Sequence, residues 1–183
     1  PSGVKSAVYT ACTNPVYIYR GDGSVRVDGD LSEWLENEFI PLTNNYYGEP
    51  QVRNAAYAVR WDAATNQFYV AVKVYDPVHV FVDMYDNWDA QDGVEVYVHT
   101  TGGLPYEYET AQNTAQRYIL GLTENRTEDP SENVWATFAG IRIVPRDDIG
   151  FKAAGVEEVD EGGHPTGWLF YEMAITAYEW LAS

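Results

Sequence analysis

The sequence predicts an all-β fold, an antiparallel β-sandwich with short helical turns. Short segments of alternating apolar and polar residues are separated at close intervals by turn residues, which is typical of sandwiches. The chain also contains fifteen Tyr and six Trp, and aromatic residues are enriched in strands. With 183 residues, the chain fits one domain with a substantial core.

The sequence is divided into two parts. Residues 1–24 are predicted to form an N-terminal extended arm or edge strands, and residues 25–183 the sandwich. At the start of the sandwich, Asp30 is a candidate helix N-cap and Glu33 completes a capping box. The short helix that follows is expected to turn three side chains toward the core, Leu31, Trp34 and Leu35.

Strand patterns then follow in quick succession, each bounded by turn residues. The predicted strands cover residues 54–61, 67–75, 115–122, 135–144 with a break at Gly140, 151–159 and 167–175, in addition to one within 87–100. A second capping-box pattern predicts a helical turn at 176–181.

The strand within residues 87–100 separates apolar from polar side chains. Val94, Val96 and Val98 alternate with Glu95, Tyr97 and His99, so one face is apolar and the other polar.

The loop before this strand carries Trp88, Asp89, Gln91 and Asp92. A large ring beside carboxylate and amide groups suits sugars, because their C–H faces stack on rings while their hydroxyls need hydrogen-bond partners. The alternative is that the Trp covers the edge of the core and that an Asp caps the turn.

Composition restricts the partners. The formal net charge is −17, and such a surface repels phosphate backbones and anionic membranes. We therefore expect no nucleic-acid partner and no membrane insertion. The single Cys12 cannot form an internal disulfide and gives no sign of an oxidising compartment.

Five motifs occur in an order that resembles the family 9 carbohydrate-binding modules, which belong to the wider DOMON-like group of sandwiches. They are VDGDLSEW, VRWDAATNQFYVAVKVYDP, NWDAQDGVEVYVHT, AQRYILG and GWLFYEMAI. The resemblance runs from about Val27 to the C-terminus. It implies a non-catalytic sandwich of jelly-roll type, usually attached to secreted polysaccharide-degrading enzymes, that binds sugars and often calcium. We therefore expect an extracellular protein that binds a glucan or xylan.

The resemblance also implies a sugar site in which aromatic rings stand in front of polar side chains on a sheet. The family has an Arg two residues after the Gln of its AQ pair, and that position is Tyr118 in this chain. Arg117 is expected to point to the other face, because a shift of one residue reverses a strand side chain. The family's second site Trp has no counterpart in the chain. The predicted sugar-binding residues are Trp88, Gln91, Glu95 and Tyr118.

A structural calcium is expected in the acidic loop at residues 76–89. Calcium takes six to eight oxygen ligands, and the loop supplies four Asp carboxylates together with backbone carbonyls. A plain solvated acidic loop is the alternative, and no EF-hand spacing is present. The predicted calcium ligands are Asp76, Asp83, Asp86 and Asp89.

Two other chemistries are disfavoured. Asp92 and Glu95 could be the paired carboxylates of a glycosidase, but the resemblance is to a binding module, so we expect no enzyme activity. Haem in DOMON-like domains is held by Met and His. The residues of those types show no pattern, and no haem is expected; they are Met84, Met173, His79, His99 and His164.

The alternative function is that of a structural subunit in an extracellular assembly. The family continues with further strands beyond residues 167–175, so the sandwich is expected to be incomplete. A removed C-terminal segment, the chain's own arm at residues 4–19, or the same arm of a neighbour could fill the gap. Exchange of the arm would give a homo-oligomer or, if it does not close, a filament.

Overall fold

The computed structural model describes residues 18–43, 54–81, 92–99, 115–124, 127–139, 143–144 and 151–176. Within these ranges the predicted antiparallel β-sandwich is confirmed. The strands are β1 Tyr19–Arg20, β2 Ile40–Pro41, β3 Asn54–Asp62, β4 Gln67–Tyr75, β5 Val94–His99, β6 Ala115–Leu122, β7 Val134–Ala139, β8 Ile143–Val144, β9 Lys152–Val159 and β10 Pro165–Ile175. Two short 3-10 turns, Leu31–Glu33 and Glu36–Glu38, precede β2.

The strands form two sheets. The first has the order β1-β3-β4-β10-β9 with β2 also paired to β3, and the second has the order β5-β6-β7-β8. The pairing is antiparallel except between β1 and β3. Among the described residues, no helix has the length and hydropathy needed to cross a membrane.

The core is formed by the alternate residues of both sheets. From the first sheet come Val70, Val72, Leu169, Tyr171, Met173 and Ile175, and from the second Tyr118, Leu120 and Leu122. Gly155 on β9 lies where the sheets approach closely: a Cβ there would come within 2.6 Å of both Leu122 Cδ2 and Val134 Cγ1. Glycine is therefore required for this approach.

The segment before β2 packs on the outer face of the first sheet. Trp34 is buried against Ala58 and Ala71, as the sequence predicts. Leu35 is 60% exposed, so the expectation that it faces the core is wrong. Only Leu31–Glu33 form the first 3-10 turn, and Trp34 ends it. Because this turn has three residues per turn and stops before Leu35, the side chain of Leu35 is placed differently than in a continuous α-helix.

The predicted N-cap is present, and the capping box is not. Asp30 Oδ1 accepts a hydrogen bond from Ser32 N at 2.9 Å. Glu33 does not return to the cap; its Oε1 accepts from Arg26 N at 2.9 Å. The carboxylate of Glu33 therefore holds the chain entering the turn.

Glu172 on β10 anchors the same turn to the sheet and is only 1% exposed. Its Oε1 accepts from Trp34 Nε1 at 2.7 Å, and its Oε2 accepts from Gly29 N at 2.9 Å and Asp28 N at 3.1 Å. Burial raises the pKa of Glu172 to about 7, although these hydrogen bonds lower it.

Part of the predicted N-terminal arm belongs to the sheet of its own chain. Tyr19 and Arg20 pair in parallel with Arg60 and Trp61, and Gly21 N donates to Trp61 O at 2.7 Å. Residues 1–17 and the predicted turn beyond Thr176 lie outside the described residues. Exchange of residues 4–19 between chains therefore stays a prediction.

Candidate functional site

Strand β5 presents polar side chains on the outer face of the four-stranded sheet. Val94, Val96 and Val98 pack against the core between the sheets. Glu95 and Tyr97 therefore point outward, as the alternation predicts. Tyr97 is 67% exposed, so its ring is open to solvent.

The register between β5 and β6 adds an arginine to this face. Arg117 lies directly opposite Tyr97, and Tyr118 lies opposite Val96. Directly opposed residues share a face of the sheet, so Arg117 is on the side of Glu95 and Tyr97. The expectation that Arg117 points to the other face is wrong.

Tyr118 lies in the core and not on the outer face that carries Glu95 and Tyr97. It is 1% exposed, its ring packs 5.0 Å from that of Phe151, and its hydroxyl donates to Thr176 O at 3.0 Å. The structure therefore contradicts its assignment to a surface site. Counting two residues from the Gln of the AQ pair selects Tyr118. The pairing of β6 with β5 places that position on the core side, opposite Val96.

Glu95, Tyr97 and Arg117 form one hydrogen-bonded group, which we call the outer-face triad. Arg117 Nε donates to Glu95 Oε2 at 3.2 Å, and Arg117 Nη2 donates to Glu95 Oε1. The Tyr97 hydroxyl donates to Glu95 Oε2 at 2.6 Å. The Arg117 guanidinium lies 5.8 Å from the centre of the Tyr97 ring.

The electrostatics of the triad keep Glu95 ionised. Partial burial raises the pKa of Glu95, but the hydrogen bonds from Arg117 and Tyr97 and the charge of Arg117 together hold it below its ordinary value of 4.5. Burial and the neighbouring Glu95 carboxylate raise the pKa of Tyr97 above 10.0. At neutral pH the triad thus combines a carboxylate, a guanidinium and a neutral phenol.

This arrangement can bind a polyhydroxylated ring. An exposed aromatic face accepts the C–H groups of a sugar, and a fixed carboxylate–guanidinium pair supplies acceptors and donors for its hydroxyls. Glu95 was predicted from the sequence, and Tyr97 and Arg117 were not. Tyr97 could have been found from its spacing of two residues from Glu95. Trp88 and Gln91 lie outside the described residues, so their assignment stays a prediction.

A second polar group lies where β4 ends and β5 begins. Ligand atoms of Asp76, His79 and Asp92 are all within 4.8 Å of one another. Asp76 is one of the four predicted calcium ligands. The other three, Asp83, Asp86 and Asp89, lie outside the described residues. A set of two carboxylates and an imidazole is a poor match to the all-oxygen shell that calcium prefers. Calcium at this loop stays a prediction.

Comparison with known families agrees with the motif order. The model of the family described as "Carbohydrate family 9 binding domain-like" matches residues 27–148, which is about two thirds of the chain. The chain belongs to this family. The match includes β5 and β6, and therefore all three residues of the outer-face triad. A search of curated proteins found no match for this family 9 chain.

A solved structure shares the fold. It is a family 9 carbohydrate-binding module from Caldicellulosiruptor kristjanssonii in complex with glucose. The two chains superpose with a TM-score of 0.57 at 19% sequence identity, over 91% of this chain and 71% of that one. At this identity the comparison shows a shared sandwich fold and does not transfer the ligand of that protein.

Proposed function

We propose that this chain binds carbohydrate without turning it over, and that the outer-face triad on β5 and β6 is part of its binding site. The observation that carries the proposal is the exposed ring of Tyr97 beside the hydrogen-bonded pair of Glu95 and Arg117. Membership of a carbohydrate-binding family and the glucose-bound relative support it.

The state of Glu95 favours binding over catalysis. A glycosidase needs a carboxylic acid whose pKa is raised so that it can protonate the leaving oxygen. The pKa of Glu95 is instead lowered, and both of its oxygens accept hydrogen bonds from Arg117. The other candidate acid, Asp92, accepts from the backbone N of Val80 at 2.6 Å. We infer that neither acts as a proton donor.

The proposed ligand is a β-linked glucan or xylan, and the proposed location is extracellular. Equatorial hydroxyls and flat C–H faces of such sugars suit an exposed aromatic ring beside a carboxylate and a guanidinium. The choice of a glucan or xylan and the extracellular location rest on the resemblance to family 9. Trp88 from the loop before β5 is proposed as a further ring of the same site.

Isothermal titration calorimetry with glucose, cello-oligosaccharides and xylo-oligosaccharides tests the proposal. We expect measurable heats with at least one series, weaker binding by Tyr97→Ala and unchanged binding by Tyr118→Phe, which removes a hydroxyl on the core side of the same strand pair. Absence of heats across the panel, or equal binding by Tyr97→Ala, would overturn the assignment. Release of reducing sugar by the purified chain would overturn the non-catalytic part.

A further inference from the structure

The group of Asp76, His79 and Asp92 is built at the base of the loop that joins the two sheets. Asp76 is the first residue after β4, and Asp92 is two residues before β5. The possible ligand atoms of the three side chains lie within 4.8 Å of one another. Two residues from one side of the loop and one from the other therefore meet at a single point.

Backbone hydrogen bonds hold the two carboxylates in place. Val80 N donates to Asp92 Oδ2 at 2.6 Å, and Asp92 N donates to Val80 O at 3.2 Å. Val78 N donates to Asp76 Oδ1 at 3.0 Å. Each carboxylate has two oxygens and about four lone-pair positions, so one backbone donor does not exhaust it. The carboxylates are thus oriented before any ligand arrives.

The imidazole of His79 is equally restrained. Its side chain is 3% exposed, and its ring meets that of Phe81 edge-on with centres 4.4 Å apart. Its Nδ1 lies 3.6 Å from Asp92 Oδ2. Two ligands bonded to one zinc ion at about 2.0–2.1 Å are about 3.3–3.6 Å apart for angles between tetrahedral and trigonal. The observed separation therefore matches ligands of a shared cation.

The donor types select the cation. Zinc and related transition metals combine imidazole nitrogen with carboxylate oxygen, whereas calcium and magnesium take oxygen ligands. We propose that Asp76, His79 and Asp92 bind a zinc-class divalent cation. Three protein ligands leave a fourth position for water. The cation cross-links the end of β4 to the segment entering β5, three residues before Glu95.

The test uses the tag-free chain after treatment with a chelator, with zinc chloride and calcium chloride as separate probes. We expect one zinc per chain by calorimetry and a Tm increase of roughly 5–10 °C at free zinc about 100 times Kd. Calcium at the same concentration should raise Tm less than zinc does, because the imidazole of His79 suits zinc and not calcium. Cobalt(II) should give visible absorption bands of a four-coordinate site.

Two variants test the ligands, and a third serves as their control. His79→Gln and Asp92→Asn should each weaken zinc binding more than about 100-fold, beyond the effect of losing an outer partner of a ligand. Asp92→Asn retains an acceptor for Val80 N, so it decides the matter if His79→Gln does not fold. His164→Gln is the matched control, because His164 is exposed with Nδ1 3.3 Å from Asp160 Oδ1. It should bind zinc normally.

Two outcomes would overturn the zinc-class assignment: stabilisation by calcium but not by zinc, and zinc binding that survives in both His79→Gln and Asp92→Asn. Loss of sugar binding in Tyr97→Ala with intact zinc binding would support separate sites. The metal proposal and the carbohydrate proposal therefore fail independently.

Discussion

Arg117 and Glu95 lie on neighbouring strands and form a two-point ion pair on the outer face of the four-stranded sheet. Their side chains are 25% and 33% exposed, so the pair is partly shielded from water and yet reachable by a ligand. The hydroxyl of Tyr97 completes the arrangement.

Replacement of Tyr97 by Ala is expected to weaken oligosaccharide binding with little loss of stability. Stacking on an aromatic ring contributes about 0.5–1.5 kcal/mol, which is roughly 2- to 13-fold in Kd. Tyr97→Phe should retain most of the affinity, because it keeps the ring and loses only the hydroxyl. Calorimetry measures the affinity and thermal unfolding the stability. A large fall in Tm for Tyr97→Ala would contradict its surface role.

Binding should depend on pH only in the acid range. The pKa of Glu95 is lowered below 4.5 in the folded protein, so its carboxylate pairs with Arg117 at all higher pH values. Stability from the pair is present above the ordinary pKa and is lost as pH falls through the folded pKa. We expect constant affinity from about pH 8 to about pH 5 and a decline below 4.5. Glu95→Gln should bind more weakly and lack this decline; a change across neutral pH would contradict the prediction.

Glu172 should make the protein less stable as pH rises toward neutrality. Its folded pKa of about 7 exceeds the ordinary 4.5, so the native state binds more protons than the unfolded state between these values. The free energy of unfolding therefore falls as the pH rises from 4.5 to about 7, and it changes no further above about pH 7. Thermal melts of the wild type and Glu172→Gln across this range measure the effect as their difference. A difference in Tm between the two proteins that stays constant across this pH range would refute the role of Glu172.

Removal of Arg60 alone should destabilise the fold strongly. Arg60 Nε donates to Glu38 Oε1 at 3.2 Å, and Arg60 Nη2 donates to Glu38 Oε2 at 2.7 Å. Both side chains are buried. Loss of one partner from a buried pair costs about 3–5 kcal/mol. We expect this loss in urea unfolding of Arg60→Met. The double variant Arg60→Met with Glu38→Leu should recover part of it, and a double variant less stable than the single one would contradict the explanation.

Gly155→Ala should disturb the packing between the sheets. The added methyl would meet Leu122 Cδ2 and Val134 Cγ1 at 2.6 Å, and overpacking costs about 1–3 kcal/mol. The cost should be smaller in a Leu122→Ala background, because one of the two obstructing groups is then absent. Equal costs in both backgrounds, measured by urea unfolding, would show that Leu122 does not limit the site.

Local pattern was enough to predict most of the strands. β4 and β6 have the predicted bounds, and β3, β9 and β10 differ by one or two residues. The predicted segment 135–144 corresponds to β7 and β8 on either side of Gly140. Alternation alone placed Glu95 on the polar face of β5. These features depend on neighbours in the chain, which a sequence displays directly.

Only the tertiary structure decided which residues join Glu95. The partner of Tyr97 is Arg117, twenty residues away, and the β5–β6 register brings them together. A register slip of one residue would exchange Arg117 for Tyr118 on the outer face, and nothing local in either strand excludes that slip. The core excludes it, because Tyr118 fills space between the sheets, and the slip would bury the charged guanidinium of Arg117 there instead. The same holds for Asp76, His79 and Asp92, which meet only because the two sheets stack.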